Sequence, residues 1–246
     1  MRIALIYNLK RVVAKRGGLD DEEAEYDGAA TIAALATAIA SFGHDVVELE
    51  ATHELPRLLL DTQPDAAFNV AEGMRGRSRE AHVPALLELF GIPYTGSDPA
   101  SLVLTLDKGV AKAVVRDAGV YTPRGFVVRV GTEPLPADLT FPAIVKPAAE
   151  GSSKGVLPGC VARTEREARD LARAVVARYG QGALVEEYLP GREFTVGLLG
   201  DPPVVLAPME IVLPRDAEFP VYSFDQKLEP TPEVRYEAPA RVTAEL

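Results

Sequence analysis

Residues 145–156 read Val-Lys-Pro-Ala-Ala-Glu-Gly-Ser-Ser-Lys-Gly-Val, and the reading of this stretch decides the fold. Lys146 lies inside an apolar run, residues 141–147, that predicts a strand closed by Pro147. A lysine is costly to bury unless an anion meets it, so Lys146 calls for an acidic partner or an anionic ligand. The loop behind it offers small residues, the hydroxyls of Ser152 and Ser153 and a run of backbone N–H groups, which suits it to fold over phosphates. Alone, the same stretch also reads as a surface hairpin with an incidental lysine, because a Gly/Ser loop is a weak motif.

Outward from this loop, the chain changes pattern. On its N-terminal side, strand and helix alternate: Arg2–Tyr7, 45–49 and 66–70 read as strands of a parallel sheet of Rossmann type. A helix is expected over 28–42, capped by Asp27, with Ile32, Leu35, Ala36 and Ile39 on one face and Gly43 as stop. Another is expected over 79–90, closed by Gly91. The turn-rich stretch 93–99 marks a boundary, and a helix over 105–118 with Val110, Val114 and Val115 inward follows it. Beyond, strands are expected over 125–130, 141–147, 153–160, 183–189, 193–200 and 204–213. A helix at Glu165–Tyr179 carries a Thr164/Glu167 capping box and an apolar stripe from Ala168 to Tyr179. The tail from Pro214 reads as a loop, with the beginning of a helix at Leu246.

Composition limits the partners. Net charge is -10, with 36 acidic against 26 basic residues, so the overall field repels nucleic acid and anionic membranes. Any polyanionic ligand must then be met by local positive charge. The single cysteine, Cys160, allows no internal disulfide and fits a reducing cytoplasm; with three scattered histidines it makes no zinc pattern. The first apolar run is too short for a signal peptide core or a membrane span.

Further chemistry-bearing residues flank the loop. Lys108, in Leu106-Asp107-Lys108, is by itself a solvated lysine, but two lysines from different elements can neutralise the phosphates of one nucleotide. Glu186 and Glu187 end an apolar strand, and Glu193 follows in Gly-Arg-Glu-Phe-Thr-Val. Carboxylates at a strand end are usually just solvated; beside a nucleotide they can accept from ribose hydroxyls or meet the base.

Taken in order, FNVAEG (68–73), GIPYTGSDP (91–99), LTLDK (104–108), VKPAAEGSSKGV (145–156) and VEEYLPGREFTVGLLG (185–200) resemble the D-alanine–D-alanine ligase branch of the ATP-grasp superfamily, as does RE..VPALLE at 79–88. That resemblance implies an ATP-grasp fold, α/β and α+β in class. Its parts would be a Rossmann-like N-terminal domain at 1–103, a central α+β subdomain at 104–180, and an incomplete C-terminal subdomain from 181 to 246. It implies an ATP-dependent carboxylate–amine ligase of peptidoglycan precursor synthesis, acting through an acyl phosphate on small amino acids, commonly as a homodimer. By resemblance, Lys108 and Lys146 bind ATP phosphates, Ser152 and Ser153 sit on the closing loop, and Ser152 also contacts substrate. Glu186 meets adenine, Glu187 and Leu189 line the base through their backbone, and Glu193 binds ribose. Lys227, in Ser-Phe-Asp-Gln-Lys, resembles the lid lysine that reaches the γ-phosphate.

The chain departs from the family pattern in three places. The family's magnesium ligands lie in an Arg-x-Asp-Phe strand and a Glu-x-Asn-x-x-Pro-Gly motif, neither present before Leu246. The expectation is therefore of a truncated, inactive chain with its Mg2+ ligands beyond Leu246. The N-terminal Gly-Gly-x-Ser-x-Glu motif is not evident, although Glu25-Tyr26-Asp27 occupies a comparable place, and Ala71-Glu72-Gly73 and Ser78-Arg79-Glu80 replace the usual His-Gly and Gly-Glu-Asp-Gly. Leu228 stands where the lid tyrosine is expected. Two alternatives follow: an ATP-grasp ligase with another amino-acid or peptide acceptor, or a non-catalytic ATP-binding fragment.

Overall fold

The structure, a computed structural model, describes residues 1–12, 21–214 and 218–243. Its contacts divide the described chain into two units, one of residues 1–12, 21–122 and 148–152, the other of 123–147, 153–214 and 218–243.

The first unit is built on a parallel sheet of β1 (Arg2–Tyr7), β2 (Asp45–Glu50) and β3 (Ala66–Asn69), in the order β2-β1-β3. The apolar run of β1 is explained by its central place: Ala4 and Ile6 join a core with Leu49, Leu55, Leu59 and Leu87, while Leu5, on the other face, is equally buried. Helix α1 (Ala29–Ser41) buries Ile32 and half-buries Leu35, Ala36 and Ile39, the expected face. It starts at Gly28 without a side-chain cap. Asp27 cannot serve, because its backbone is held in a bridge to Leu9 and accepts from the Lys10 N–H at 2.8 Å.

Helix α2 (Leu55–Thr62), not among the expected elements, is short and buries Leu55 and Leu59 one turn apart. Residues 79–90 form a 3-10 turn, Arg79–Ala81, and then α3 (His82–Phe90), stopped by Gly91 in a left-handed conformation. The expected helix over 105–118 is instead two helices, α4 (Pro99–Leu106) and α5 (Lys108–Asp117). They break at Asp107, whose extended backbone frees its carboxylate to accept the N–H groups of Gly109 and Val110 and so cap α5. No residue of α5 is buried, and Val114 and Val115 are exposed rather than inward.

In the second unit, β4 (Gly125–Val128), β5 (Ala143–Pro147), β6 (Val161–Ala162) and β7 (Ala183–Glu187) make an antiparallel sheet in the order β4-β7-β5-β6. Helix α6 (Glu165–Tyr179) has the predicted bounds and packs Ala168 and Ala172 on Ala143, Val145, Ala183 and Val185. Thr164 caps it as expected, but the Glu167 carboxylate accepts from the Arg163 N–H instead of returning to Thr164. Residues 153–160 are not a strand. Left-handed backbone at Ser153, Gly155 and Gly159 interrupts any extended run, and only β6 follows.

A second sheet holds β8 (Glu193–Thr195), β11 (Met209–Val212) and β12 (Arg235–Glu237), in the order β12-β11-β8. Between them β9 (Leu198–Leu199) and β10 (Val204–Val205) form a hairpin, so the two long strands expected there are each interrupted. The tail, read as a loop, contains α7 (Phe224–Leu228), begun by a Ser223/Gln226 capping box, as well as β12. The helix expected at Leu246 lies outside the described residues. No helix among them is long and apolar enough to cross a membrane.

Glycine at 73 has φ +75, and a Cβ there would fall 2.1 Å from the Arg79 carbonyl oxygen. Glycine at 91 is also left-handed but faces open space. Gly91→Ala should cost about 1 kcal/mol of unfolding free energy in urea titration, and Gly73→Ala more than about 2 kcal/mol, because backbone must move as well. Equal losses would contradict this packing.

Candidate functional site

In the second unit, the sheet pleat sorts chemistry from core. On β5 and β7 the residues Ala143, Val145, Ala183 and Val185 face α6. Lys146 and Glu186 alternate to the opposite face. Register pairs Lys146 with Leu184 and Ile144 with Glu186, so the two charged residues are diagonal neighbours. Lys146 Nζ lies 2.7 Å from Glu186 Oε1, with side-chain exposures of 23% and 8%. Gly125 sits across from Glu186 on β4, where a Cβ would come within 2.4 Å of the Glu186 Cβ. Glycine there is what lets Glu186 take its place.

Glu193, the first residue of β8, is exposed overall, yet enough protein surrounds its carboxyl to raise its pKa by burial, against the pull of Lys227 and Lys146. Lys227, on α7, is lowered by burial and raised again by Glu193. Its Nζ stands 5.0 Å from the centroid of the Tyr222 ring, whose hydroxyl lies 2.6 Å from that of Tyr236. Lys146, Glu186, Glu193 and Lys227, proposed from separate motifs, thus share one electrostatic neighbourhood.

The rear of the 148–156 loop reaches the same region. Ser153 donates to the Tyr222 carbonyl at 2.8 Å, and the Phe224 N–H donates to the Val156 carbonyl at 2.9 Å. Ser152 and Ser153 have φ of 46 and 55, a region that costs a non-glycine residue about 1 kcal/mol. Consecutive turn conformations of this kind gather N–H groups into anion-binding concavities, and such strain collects at functional sites. Glu187 is engaged otherwise: its carboxylate accepts from the Arg124 N–H at 3.0 Å and Thr140 Oγ1 at 2.8 Å, and its own N–H donates to the Arg124 carbonyl. Leu189 is exposed.

In the first unit the polar groups gather past the C-terminal ends of β1 and β3, where open α/β sheets hold ligands. Asn8, buried at the end of β1, accepts from the N–H groups of Glu72 and Gly73 and donates to the Ala51 carbonyl. Tyr26 adds a hydrogen bond to the Gly73 carbonyl. Beside this turn the Arg79 guanidinium lies 2.6 Å from Glu25 and 3.4 Å from Glu150, with side-chain exposures of 8%, 5% and 10%. Burial weighs against the Arg79 charge, and the facing Glu25 and Glu150 more than offset it. Lys108 belongs here: its N–H donates to the Ala148 carbonyl and its ammonium to the Glu150 carbonyl. Sequence reasoning singled out Lys108 but not the Arg79 triad. Its one signal was a charged Arg79-Glu80 pair ahead of an apolar helix, which reads equally well as solvated.

An open cavity of about 390 Å³ adjoins these groups, lined by Glu25, Asp27, Asn69, Glu72, Glu80 and Ser97 among others. Carboxylate oxygens of Glu25, Glu72 and Glu80 lie within 4.8 Å of one another.

The comparisons agree with the local chemistry. Residues 130–246 match the family model described as D-ala D-ala ligase C-terminus. The Sinorhizobium fredii (strain NBRC 101917 / NGR234) protein y4sG is 39% identical over 179 residues, which are 73% of this chain and 52% of that protein. The D-alanine–D-alanine ligase of Aquifex aeolicus (strain VF5) is 35% identical over 190 residues, 77% of this chain and 62% of the relative. The chain therefore spans about half to three fifths of the length of these relatives. A crystal structure of Bacillus anthracis D-alanine–D-alanine ligase complexed with ATP superposes with a TM-score of 0.66 at 22% identity, covering 100% of this chain and 72% of that one.

Burial, reinforced by the charges of Glu25 and Glu80, pushes Glu72 up to about 7. Between the unfolded value of about 4.3 and 7 the folded state holds the extra proton, so this group lowers stability as pH rises through that window. Glu72→Gln should be about 1–2 kcal/mol more stable than the natural chain at pH 8 and no more stable at pH 4. Urea titrations at both pH values check this; the same difference at each would refute the assignment.

Proposed function

We propose that the chain belongs to the D-alanine–D-alanine ligase branch of the ATP-grasp superfamily, whose C-terminal family model matches residues 130–246, and that it serves as an ATP-dependent carboxylate–amine ligase joining small amino acids for peptidoglycan precursor synthesis in the cytoplasm. The observation that carries this reading is the convergence of Lys146, Glu186, Glu193 and Lys227 beside the left-handed serine loop.

The residues fit a nucleotide. Two ammonium groups, Lys146 and Lys227, both pull electrostatically on the Glu193 carboxyl, and an incoming triphosphate would replace that modest compensation with a far larger negative charge. Glu193 can accept from ribose hydroxyls. On this reading Glu186, near the end of β7, meets the amino edge of adenine, with the strand end at Glu187 and Leu189 beside the base. Ser152 and Ser153 lend hydroxyls and N–H groups to the phosphates, and Ser152 also contacts substrate. We propose the domain division 1–103, 104–180 and 181 onward, with the two sheets of the second unit as walls of the nucleotide site.

ATP supplies the phosphoryl group that makes a carboxylate reactive toward an amine, and magnesium shares the phosphate charge. The chain's own groups spread the charge of the transferring phosphoryl through Lys146 and Lys227 and exclude water through the segment around α7.

Phosphate release with ATP, magnesium and a panel of D- and L-amino acids tests the activity, and calorimetric titration with ATP tests the site directly. Lys227→Met should weaken ATP binding about tenfold with little change in melting temperature. Lys146→Met should weaken it similarly and also cost about 2 kcal/mol of stability, because the largely buried Glu186 carboxylate loses this ion pair. A natural chain that binds no ATP would end this reading.

A further inference from the structure

We infer that Arg79 is a positioning residue for the phosphate-facing loop, an inference that rests on the nucleotide reading above. The loop leaves β5 at Pro147, and its front half, residues 148–152, belongs to the first unit. That allegiance comes from a small set of contacts centred on one guanidinium. Arg79 Nη1 donates to the Ala149 carbonyl at 2.9 Å, and Nη2 lies 2.6 Å from Glu25 and 3.4 Å from Glu150. The other oxygen of Glu25 accepts from the Gly151 N–H. Lys108 closes the set through the Ala148 and Glu150 carbonyls.

Arginine suits this place because its fork satisfies a carbonyl and two carboxylates from one rigid plane, which an ammonium cannot do. The approach is tight: a Cβ on Gly151 would come 2.5 Å from the Glu25 oxygen, so glycine is required for that N–H to be reached. Arg79 is itself fixed, since its carbonyl is the group against which Gly73 is pressed. The guanidinium thus sets where Ala149 and Gly151 lie, and thereby where the hydroxyl-bearing, left-handed turn begins at Ser152. Arg79 touches no phosphate in this scheme. It acts through the loop, which makes it specific for the phosphate portion of the nucleotide.

The test uses the full chain and its Arg79→Lys variant, which keeps the charge and loses the fork. Affinities for ATP and for adenosine are measured by titration, and exchange of the Gly151 amide by hydrogen–deuterium exchange. The inference expects ATP affinity to fall about tenfold with adenosine affinity unchanged, and faster exchange at Gly151. Equal loss of both affinities would mean a purely structural role, and no change in either, or an unaltered Gly151 amide, would also overturn it. If the natural chain bound no ATP, the nucleotide reading would fail by itself, while the exchange rate at Gly151 would still decide whether Arg79 holds the loop. Arg79→Gln gives a second variant, in which loss of the charge should speed that exchange further.

Discussion

An ammonium at the end of an apolar strand persists only against a carboxylate, and the Lys146–Glu186 pair is the constraint around which the second unit is arranged. Taking either ion out of water alone costs several kcal/mol, so the strands must bring the two together. They do so through register. A slip of one residue between β5 and β7 would turn Lys146 into the face occupied by Val145 and Ala143 under α6, and those apolar residues out of it. The same pleat that builds the core therefore also aims the cation. Gly125 completes the arrangement by leaving room beside Glu186.

A second ionic device governs the loop that follows. Arg79, Glu25 and Glu150 are nearly enclosed, and what they hold is backbone: the Ala149 carbonyl and the Gly151 N–H. Buried ion pairs contribute little net stability compared with apolar packing, but they fix register and orientation. Here they fix the start of a turn whose serines occupy left-handed conformations, a strain the chain sustains because both ends of the turn are tied.

The acid-lined cavity of the first unit follows from general features of parallel sheets. The C-terminal ends of β1 and β3 expose loops, and the buried Asn8 side chain ties the 72–73 turn to the end of β1. Carboxylates then crowd with limited solvent, and burial together with like charge lifts Glu72 towards neutrality.

The element types were largely legible in the sequence, because periodicity and capping act locally. The apolar β1, the stripe of α6 with its Thr164 cap, and the left-handed stop at Gly91 need only near neighbours, and Lys146 announced a partner by being charged within an apolar run. The misreadings have the same origin. Asp27 has the side chain of a helix cap, and only the tertiary pairing of its backbone with Leu9 decided that it is not one. Residues 153–160 looked extended until positive φ at Ser153, Gly155 and Gly159 broke them. Which carboxylate answers Lys146, and that Arg79 is a buried anchor instead of a solvated charge, depended on contacts across tens of residues. Composition and spacing carry no information about those contacts, because such pairings are set by where the folded backbone brings distant side chains.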